Sequence, residues 1–260
     1  MSTRTSPWPA GVPCWADLMV PDVVAAGAFY AAVLGWEVPE PDEQYGGYVV
    51  AHRGGHAVAG IGPEQPGART AWTLYFASDD ADGTTAAVEE AGGSVLAPPM
   101  DVGPLGRMAV AADPAGAVFG VWQAGTMIGA ALVNEPGGLT WEDLRSTDPA
   151  AAQAFYSAVF GFQGDPLAMA GPDYGTFRLP HEQAPLGGMG GMMGSPEGTP
   201  SHWLVYFAVA DTDAALAAAE QAGGTVTMPA KDTAFGRIGG VRDPYGAEIV
   251  VITVPPESAG

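Results

Sequence analysis

The feature that most constrains the fold is an internal duplication. The pattern Trp-x-Asp-Leu occurs at residues 15–18 and again at residues 141–144. Later matches follow in the same order, since a Phe-Tyr pair, an Ala-Gly-Gly turn, a Gly-Arg pair and Asp-Pro-x-Gly each occur twice. A repeat of about 126 residues (141 − 15) has the length of a domain, not of a solenoid unit. The sequence therefore predicts two related domains, residues 1–128 and 129–260.

Composition and charge narrow the class of protein. A hydrophobic content of 47% is sufficient for packed cores, and the net charge of −20 disfavours nucleic acids and anionic membranes as partners. No apolar run is long enough to span a bilayer. The first residues lack an apolar signal segment, and the single cysteine, Cys14, cannot form an internal disulfide. We therefore expect a cytoplasmic protein.

The first strand of each half is indicated by alternation. Residues 14–20 alternate with a period of two, which places Cys14, Ala16 and Leu18 toward the core and Trp15 and Asp17 on the opposite face. The second Trp-x-Asp-Leu segment repeats this pattern.

A helix is predicted directly after that strand. Asp22 is a suitable N-cap for Val23–Leu34, and Gly35 supplies the C-terminal stop. Strands are predicted at 48–52, 57–61, 72–77, 94–97, 107–112 and 117–122, with a second helix over 80–91. Each half thus contains two modules of one strand, one helix and further strands, and the chain contains four.

These motifs resemble a known superfamily. The order Asp22, Phe29-Tyr30, Leu34-Gly35-Trp36 and Asp113-Pro-x-Gly is similar to that of vicinal oxygen chelate proteins, which include glyoxalase I, bleomycin-resistance proteins and extradiol dioxygenases. The tandem Trp-x-Asp-Leu pattern also resembles actinobacterial two-domain glyoxalase-like proteins, among them mycobacterial antigens and products of aromatic polyketide gene clusters. The resemblance implies an α+β fold, in which four βαβββ modules form two curved mixed sheets with outer helices.

The same resemblance implies where a metal ion would be bound. Metal-using members place His, Gln or Glu ligands on the concave face of the sheet, because divalent ions require such donors. In this chain the implied positions carry unsuitable residues: Trp15 and Trp141 on the first strand, Thr73 and Leu204 on the fifth, and Gly120 and Val250 on the last. We therefore expect neither a metal nor another cofactor.

The resemblance then favours the branch in which each concave face, here called a cup, binds a flat and mostly apolar molecule. Aromatic walls with a few polar groups suit a hydrophobic aromatic ligand. A glycine- and methionine-rich run at 187–194 either forms a mobile flap over the second cup or is a poorly ordered transition. The predicted ligand-binding residues are Trp15, Thr73, Tyr75, Trp122, Trp141, Met189, Met192, Leu204 and Tyr206.

Three residues are candidates for acid–base chemistry. Asp17 and Asp143 share the face of the tryptophans and could accept hydrogen bonds from a ligand or act as general bases. Alternatively, they are structural carboxylates that cap a loop or pair with Arg107 and Arg237. His202 is the best single acid–base candidate, although a histidine at the rim with no such role is an alternative.

Three functions remain open from the sequence. The first is a metal-independent protein that sequesters or handles an aromatic, polyketide-type natural product. The second is a tailoring enzyme of the hydroxylase or isomerase/lyase type that uses the Asp and His residues of the same cups. The third is an antigen-like or regulatory protein whose pockets have decayed. For Trp15 and Trp141, packing between the two halves is the alternative to ligand contact. In each case the two halves are expected to form a pseudo-dimer within one chain.

Overall fold

The computed structural model describes residues 3–64, 70–167, 173–180 and 182–253. The first half forms a seven-stranded mixed sheet in the order β2-β3-β1-β4-β7-β6-β5. Its helices are α1 (Val23–Leu34) and α2 (Ala81–Glu90), with a short 3-10 helix at Glu43–Tyr45. Its strands are β1 (Pro13–Val20), β2 (Val49–Arg53), β3 (His56–Pro63), β4 (Ala71–Ala77), β5 (Ser94–Asp101), β6 (Gly106–Ala112) and β7 (Val118–Ala124).

The second half forms an eight-stranded sheet in the order β13-β14-β15-β12-β8-β11-β10-β9. Its helices are α3 (Pro149–Phe160) and α4 (Thr212–Gln221). Its strands are β8 (Leu139–Arg145), β9 (Gln163–Pro166), β10 (Tyr174–Arg178), β11 (Gly187–Gly190), β12 (His202–Ala208), β13 (Thr225–Thr233), β14 (Gly236–Arg242) and β15 (Glu248–Thr253).

The predicted fold class is confirmed, with one difference between the halves. Three modules have one strand before the helix and three after it, as expected. In the first module, the strand that would follow α1 as β9 follows α3 is reduced to an isolated bridge between Glu37 and His52. The first sheet therefore has one strand fewer than the second.

The helix boundaries follow from local chemistry that the sequence already displays. Asp22 Oδ1 accepts a hydrogen bond from the backbone N–H of Ala25 at 2.9 Å, and Gly35 ends α1 with φ of 68°. Asp80, Asp148 and Asp211 cap the other three helices in the same way. Within the described ranges, no helix is long and apolar enough to cross a membrane.

One hydrophobic core contains side chains from both halves. The Tyr30 hydroxyl donates to Asp243 Oδ2 at 3.0 Å, and the Trp36 indole donates to the carbonyl of Gly137 at 2.7 Å. Phe76 packs edge-on against Trp203 with ring centroids 5.2 Å apart. The Phe-Tyr and Asp-Pro-x-Gly motifs thus meet across the two halves, so these repeated residues have a structural role.

The segment that connects the two sheets covers the first cup. The backbone N–H of Ala130 donates to the carbonyl of Cys14 at 2.7 Å, and that of Ala131 donates to the carbonyl of Ala57 at 2.8 Å. The Trp122 indole donates to the carbonyl of Met127 at 2.9 Å. Residues 125–138 therefore act as a cover that closes the face opposite the helices.

Candidate functional site

Cross-strand pairing sets the centre of each cup. In the second half Trp141 lies opposite Tyr206, and Asp143 lies opposite Leu204 on the same pair of strands. Since strand side chains alternate, Trp141 and Asp143 share one face while Leu144 points into the core. The first half repeats this arrangement, with Trp15 opposite Tyr75 and Asp17 opposite Thr73.

The carboxylate of Asp143 is held by four donors. Tyr174 Oη and Trp141 Nε1 donate to Oδ1 at 2.6 and 3.0 Å. Tyr206 Oη and Arg145 Nη2 donate to Oδ2, each at 2.7 Å. Burial and the nearby Asp143 charge raise the pKa of Tyr174 and of Tyr206, so both phenols keep the protons that they donate. Asp143 is therefore a fixed, charge-paired anchor at the centre of the second cup.

Asp17 occupies the corresponding place in the first cup without a cation. Met19 stands where the second half has Arg145, and the Tyr48 hydroxyl reaches Asp17 Oδ2 only at 3.4 Å. Within the described part of the chain, Asp17 Oδ1 has no hydrogen-bond partner. Burial raises the pKa of Asp17 to about 7, although the Tyr75 and Tyr48 hydroxyls partly offset this effect. Near neutral pH the Asp17 carboxyl is therefore able to take up or release a proton.

Glycines make room for the tyrosines that reach these carboxylates. A Cβ at Gly188 would lie 1.9 Å from the Tyr174 hydroxyl oxygen and 2.1 Å from Asp143 Oδ1. A Cβ at Gly60 would lie 1.7 Å from the Tyr48 hydroxyl oxygen. Side chains at these two positions would displace the tyrosine hydroxyls, so glycine is required by close approach.

The glycine- and methionine-rich run has two different parts. Gly187–Gly190 is the buried strand β11, which pairs in parallel with β8. Because Gly188 faces the cup, Met189 points to the opposite face, where it lies in the hydrophobic core. Met192 is half-buried in the turn that follows, and Met193 is exposed. Met189 thus lies outside the cup, and the turn at 191–194 borders it.

The two cups differ in exposure. Trp15, Tyr75 and Trp122 are only 3%, 4% and 7% exposed and form an apolar cluster beneath the connecting segment. Thr73 is half-buried beside them.

In the second cup Trp141 and Leu204 are only half-buried. Met228 and Ile238 pack beside them against Tyr206. The accessible apolar surface is therefore that of the second cup.

His202 lies next to the second cup, opposite Arg145 on the neighbouring strand. Its Nδ1 is 2.9 Å from the carbonyl oxygen of Pro200. A carbonyl only accepts hydrogen bonds, so Nδ1 carries the hydrogen in this contact. His202 thus has one ring nitrogen left for a ligand.

The repeated Gly-Arg pair has a role other than the one considered from sequence. Arg107 donates to Asp82 at 2.9 Å and to Asp101 at 2.8 Å. Arg237 donates in the same way to residues of α4 and β13, at 2.6 Å and 3.0 Å. The interpretation that these arginines pair with the cup carboxylates is therefore wrong, because they instead join an outer helix to an edge strand.

The donor set does not fit the metal site of the metal-using relatives. Across the strands of the first cup, Trp15 pairs with Tyr75, which pairs with Gly120. In the second cup the equivalent series of cross-strand partners ends at Val250. Indole, phenol and aliphatic groups are poor ligands for divalent ions. Over the described ranges, no three His, Cys, Asp or Glu side chains lie close enough together to hold an ion.

A separate cavity of about 250 Å³ lies on the helix side of the second sheet. Phe162, Phe177 and Met189 give it apolar walls, and Gln153 and Asp173 lie at its edge. It shares Tyr174 with the cup but does not contain Trp141 or Asp143.

Three residues of the carboxylate networks were missed in the sequence: Tyr48, Tyr174 and Arg145. A signal for the tyrosines was present, because Tyr48 and Tyr174 are separated by the same 126 residues (174 − 48) as the two Trp-x-Asp-Leu copies. Arg145 was detectable as the second residue after Asp143, where the first half has Met19.

Comparison with known proteins agrees with this architecture. The Glyoxalase/Bleomycin resistance protein/Dioxygenase superfamily matches residues 138–251, and the Glyoxalase-like domain family matches residues 15–122. The chain is 40% identical to the putative glyoxylase CFP32 of Mycobacterium tuberculosis, over 98% of this chain and 99% of that protein. It is 38% identical to the anthracycline biosynthesis protein DnrV of Streptomyces peucetius, over 99% of this chain and 98% of that protein.

Solved structures share the fold at lower identity. The Mn(II)-bound glyoxalase from Novosphingobium aromaticivorans superposes with a TM-score of 0.66 at 20% identity, covering 93% of this chain and 82% of that one. The 2,3-dioxygenase LapB from Pseudomonas sp. KL28 gives a TM-score of 0.64 at 18% identity, covering 96% of both chains. The family matches and the full-length relatives show that the chain belongs to the glyoxalase/bleomycin resistance protein/dioxygenase superfamily.

Proposed function

We propose that this chain is a cytoplasmic, metal-independent protein that binds an aromatic natural product of the polyketide type in its second cup. The observation that carries the proposal is the combination of a half-buried Trp141 with the fixed group of Asp143, Tyr174 and Tyr206 beneath it. An aromatic wall with a few rigid polar groups is the usual composition of a small-molecule site.

The apolar floor of the cup supports a flat ligand. Leu204, Met228 and Ile238 lie beside Trp141 as partly buried side chains, so a planar molecule would contact them and stack on the indole. Trp141 Nε1 is already bonded to Asp143, which fixes the plane of the ring. A stacking surface that is rigid before binding loses little conformational entropy when the ligand arrives.

The relatives support the class of ligand. Two proteins named for anthracycline biosynthesis match nearly the full length of this chain, and anthracyclines are flat aromatic polyketides. The unsuitable donor set at the metal positions supports binding that does not depend on a metal.

An enzymatic function is the second candidate, and one observation favours it. Asp17 is 4% exposed and has a carboxylate oxygen without a partner in the described structure, and its pKa is raised to about 7. A carboxyl group that titrates near neutral pH is suited to general acid–base catalysis. This candidate requires the connecting segment at 125–138 to move, because that segment covers the first cup.

Calorimetric titration of the purified chain with naphthoquinone and anthraquinone compounds tests the proposal. We expect binding that Trp141→Ala weakens by at least about fivefold, since a lost stacking partner costs about 1 kcal/mol. The matched variant Trp15→Ala should leave the affinity unchanged, because Trp15 lies under the connecting segment. Equal effects of the two substitutions would contradict the assignment of the second cup, whereas turnover that is abolished by Asp17→Asn would favour the enzyme.

A further inference from the structure

Arg145 distinguishes the second cup from the first. The two Trp-x-Asp-Leu segments are followed by Met19 in the first half and by Arg145 in the second. The Arg145 side chain is only 13% exposed, and its Nη2 donates to Asp143 Oδ2 at 2.7 Å. A partly buried guanidinium group therefore lies at the edge of the aromatic surface.

The other end of this guanidinium faces outward. Arg145 Nη1 lies against the sulfur of Met193, and a thioether is only a weak acceptor. Over the described residues, no oxygen accepts a hydrogen bond from Nη1 or from Nε. Guanidinium donors form their strongest hydrogen bonds with anionic oxygens, so this end of Arg145 is suited to receive such a group.

The donors around Asp143 support an anion at this place. The negative charge of Asp143 is shared with three uncharged donors, two phenols and an indole, as well as with Arg145.

From these contacts we infer that the second cup selects aromatic molecules that carry an anionic oxygen group, either a carboxylate or an ionised acidic hydroxyl. The ring stacks on Trp141, and the anionic oxygen takes the Nη1 hydrogen of Arg145 in place of the Met193 sulfur. This inference rests on the proposed binding function and adds the charge of the ligand to it. Met193, which is exposed in the turn after β11, moves aside when the anion binds.

A matched pair of probes tests the inference on the full-length chain. 2-Naphthoate and 2-naphthamide have the same ring and nearly the same shape but differ in charge. By isothermal titration calorimetry, we expect 2-naphthoate to bind at least about tenfold more tightly than 2-naphthamide, as for a charge-assisted pair. Arg145→Met, which introduces the residue of the first half, should remove this preference.

Two further variants keep the test independent of folding. Arg145→Lys retains the positive charge beside Asp143 and should keep a preference of at least about threefold, since a point charge still attracts the carboxylate. Arg237→Met removes one surface arginine far from the cup and should leave the tenfold preference intact. A far-UV spectrum and a melting curve for each variant exclude loss of the fold.

The outcomes separate the inference from the proposed function. Equal affinity of the wild-type chain for both probes would overturn the inference while leaving aromatic binding in place. An unchanged preference in folded Arg145→Met would also overturn it, because the charge selection would then come from another residue. Failure of both probes to bind would overturn the inference and the proposed function together.

Discussion

Replacing Asp17 by asparagine should stabilise the protein at alkaline pH. Asn has the shape of Asp but no charge, and the site has neither a cation nor a partner for Oδ1 within the described chain. Burial raises the pKa of Asp17 from 3.8 to about 7, so the folded state holds this proton more tightly than the unfolded state does. The stabilisation from the bound proton is complete below about pH 4 and is lost as the pH rises through about 7.

The magnitude follows from the linkage relation. The interval between 3.8 and about 7, at about 1.4 kcal/mol per pH unit, corresponds to an upper limit of about 4 kcal/mol at pH 8. Most of this cost develops above pH 5, so the advantage of Asp17→Asn should grow by about 2.5 kcal/mol between pH 5 and pH 8. Urea unfolding followed by far-UV circular dichroism at pH 5, 6, 7 and 8 measures it.

The equivalent substitution in the second half is the control. Asp143→Asn should destabilise the protein at every pH in this range by about 3 kcal/mol or more, since it leaves buried Arg145 without its charge partner. A difference between wild type and Asp17→Asn that does not change with pH would refute the reasoning about Asp17.

Three further predictions concern the packing around these sites. Gly188→Ala should cost about 2 kcal/mol or more in urea unfolding, because its Cβ would overlap the Tyr174 hydroxyl, whereas Gly191→Ala, with no atom closer than 3.9 Å, should be nearly neutral. Tyr30→Phe should cost about 1–3 kcal/mol in the same assay by leaving buried Asp243 Oδ2 without its donor, and a smaller cost would contradict the interdomain role of that bond. Cys14 should react with a thiol reagent only in denaturant, since burial raises the pKa of its thiol; rapid labelling of the native chain would contradict this.

The sequence predicted those parts of the fold that depend on local chemistry. The N-cap Asp22 and the stop at Gly35 placed α1 correctly, and the alternation in β1 placed Trp15 and Asp17 together on the cup face. The duplication gave the two-sheet architecture, because motifs that recur at a fixed spacing mark equivalent elements.

The parts that the sequence did not predict depend on contacts between distant residues. Closure of the first cup results from the segment at 125–138, whose contacts with Cys14 and Ala57 join residues that are distant in sequence. Arg107 and Arg237 bind carboxylates on outer helices that lie about 25 residues away in sequence, so adjacency in the motif gave the wrong partner. Pairing with β8 places Gly188 beside Asp143 on the cup face. The next residue, Met189, therefore points to the opposite face of the sheet.

The central claim is that an aromatic ligand binds in the second cup against Trp141. The seven tryptophans each give one indole N–H signal in a ¹⁵N-labelled sample, and single Trp→Phe variants assign the signals of Trp141 and Trp15. Titration with 2-naphthoate should shift the Trp141 indole signal, because the ring current of the stacked naphthalene lies over it, and should leave the Trp15 signal in place. A titration in which Trp15 shifts and Trp141 does not, or in which neither signal shifts at saturating ligand, would contradict the account.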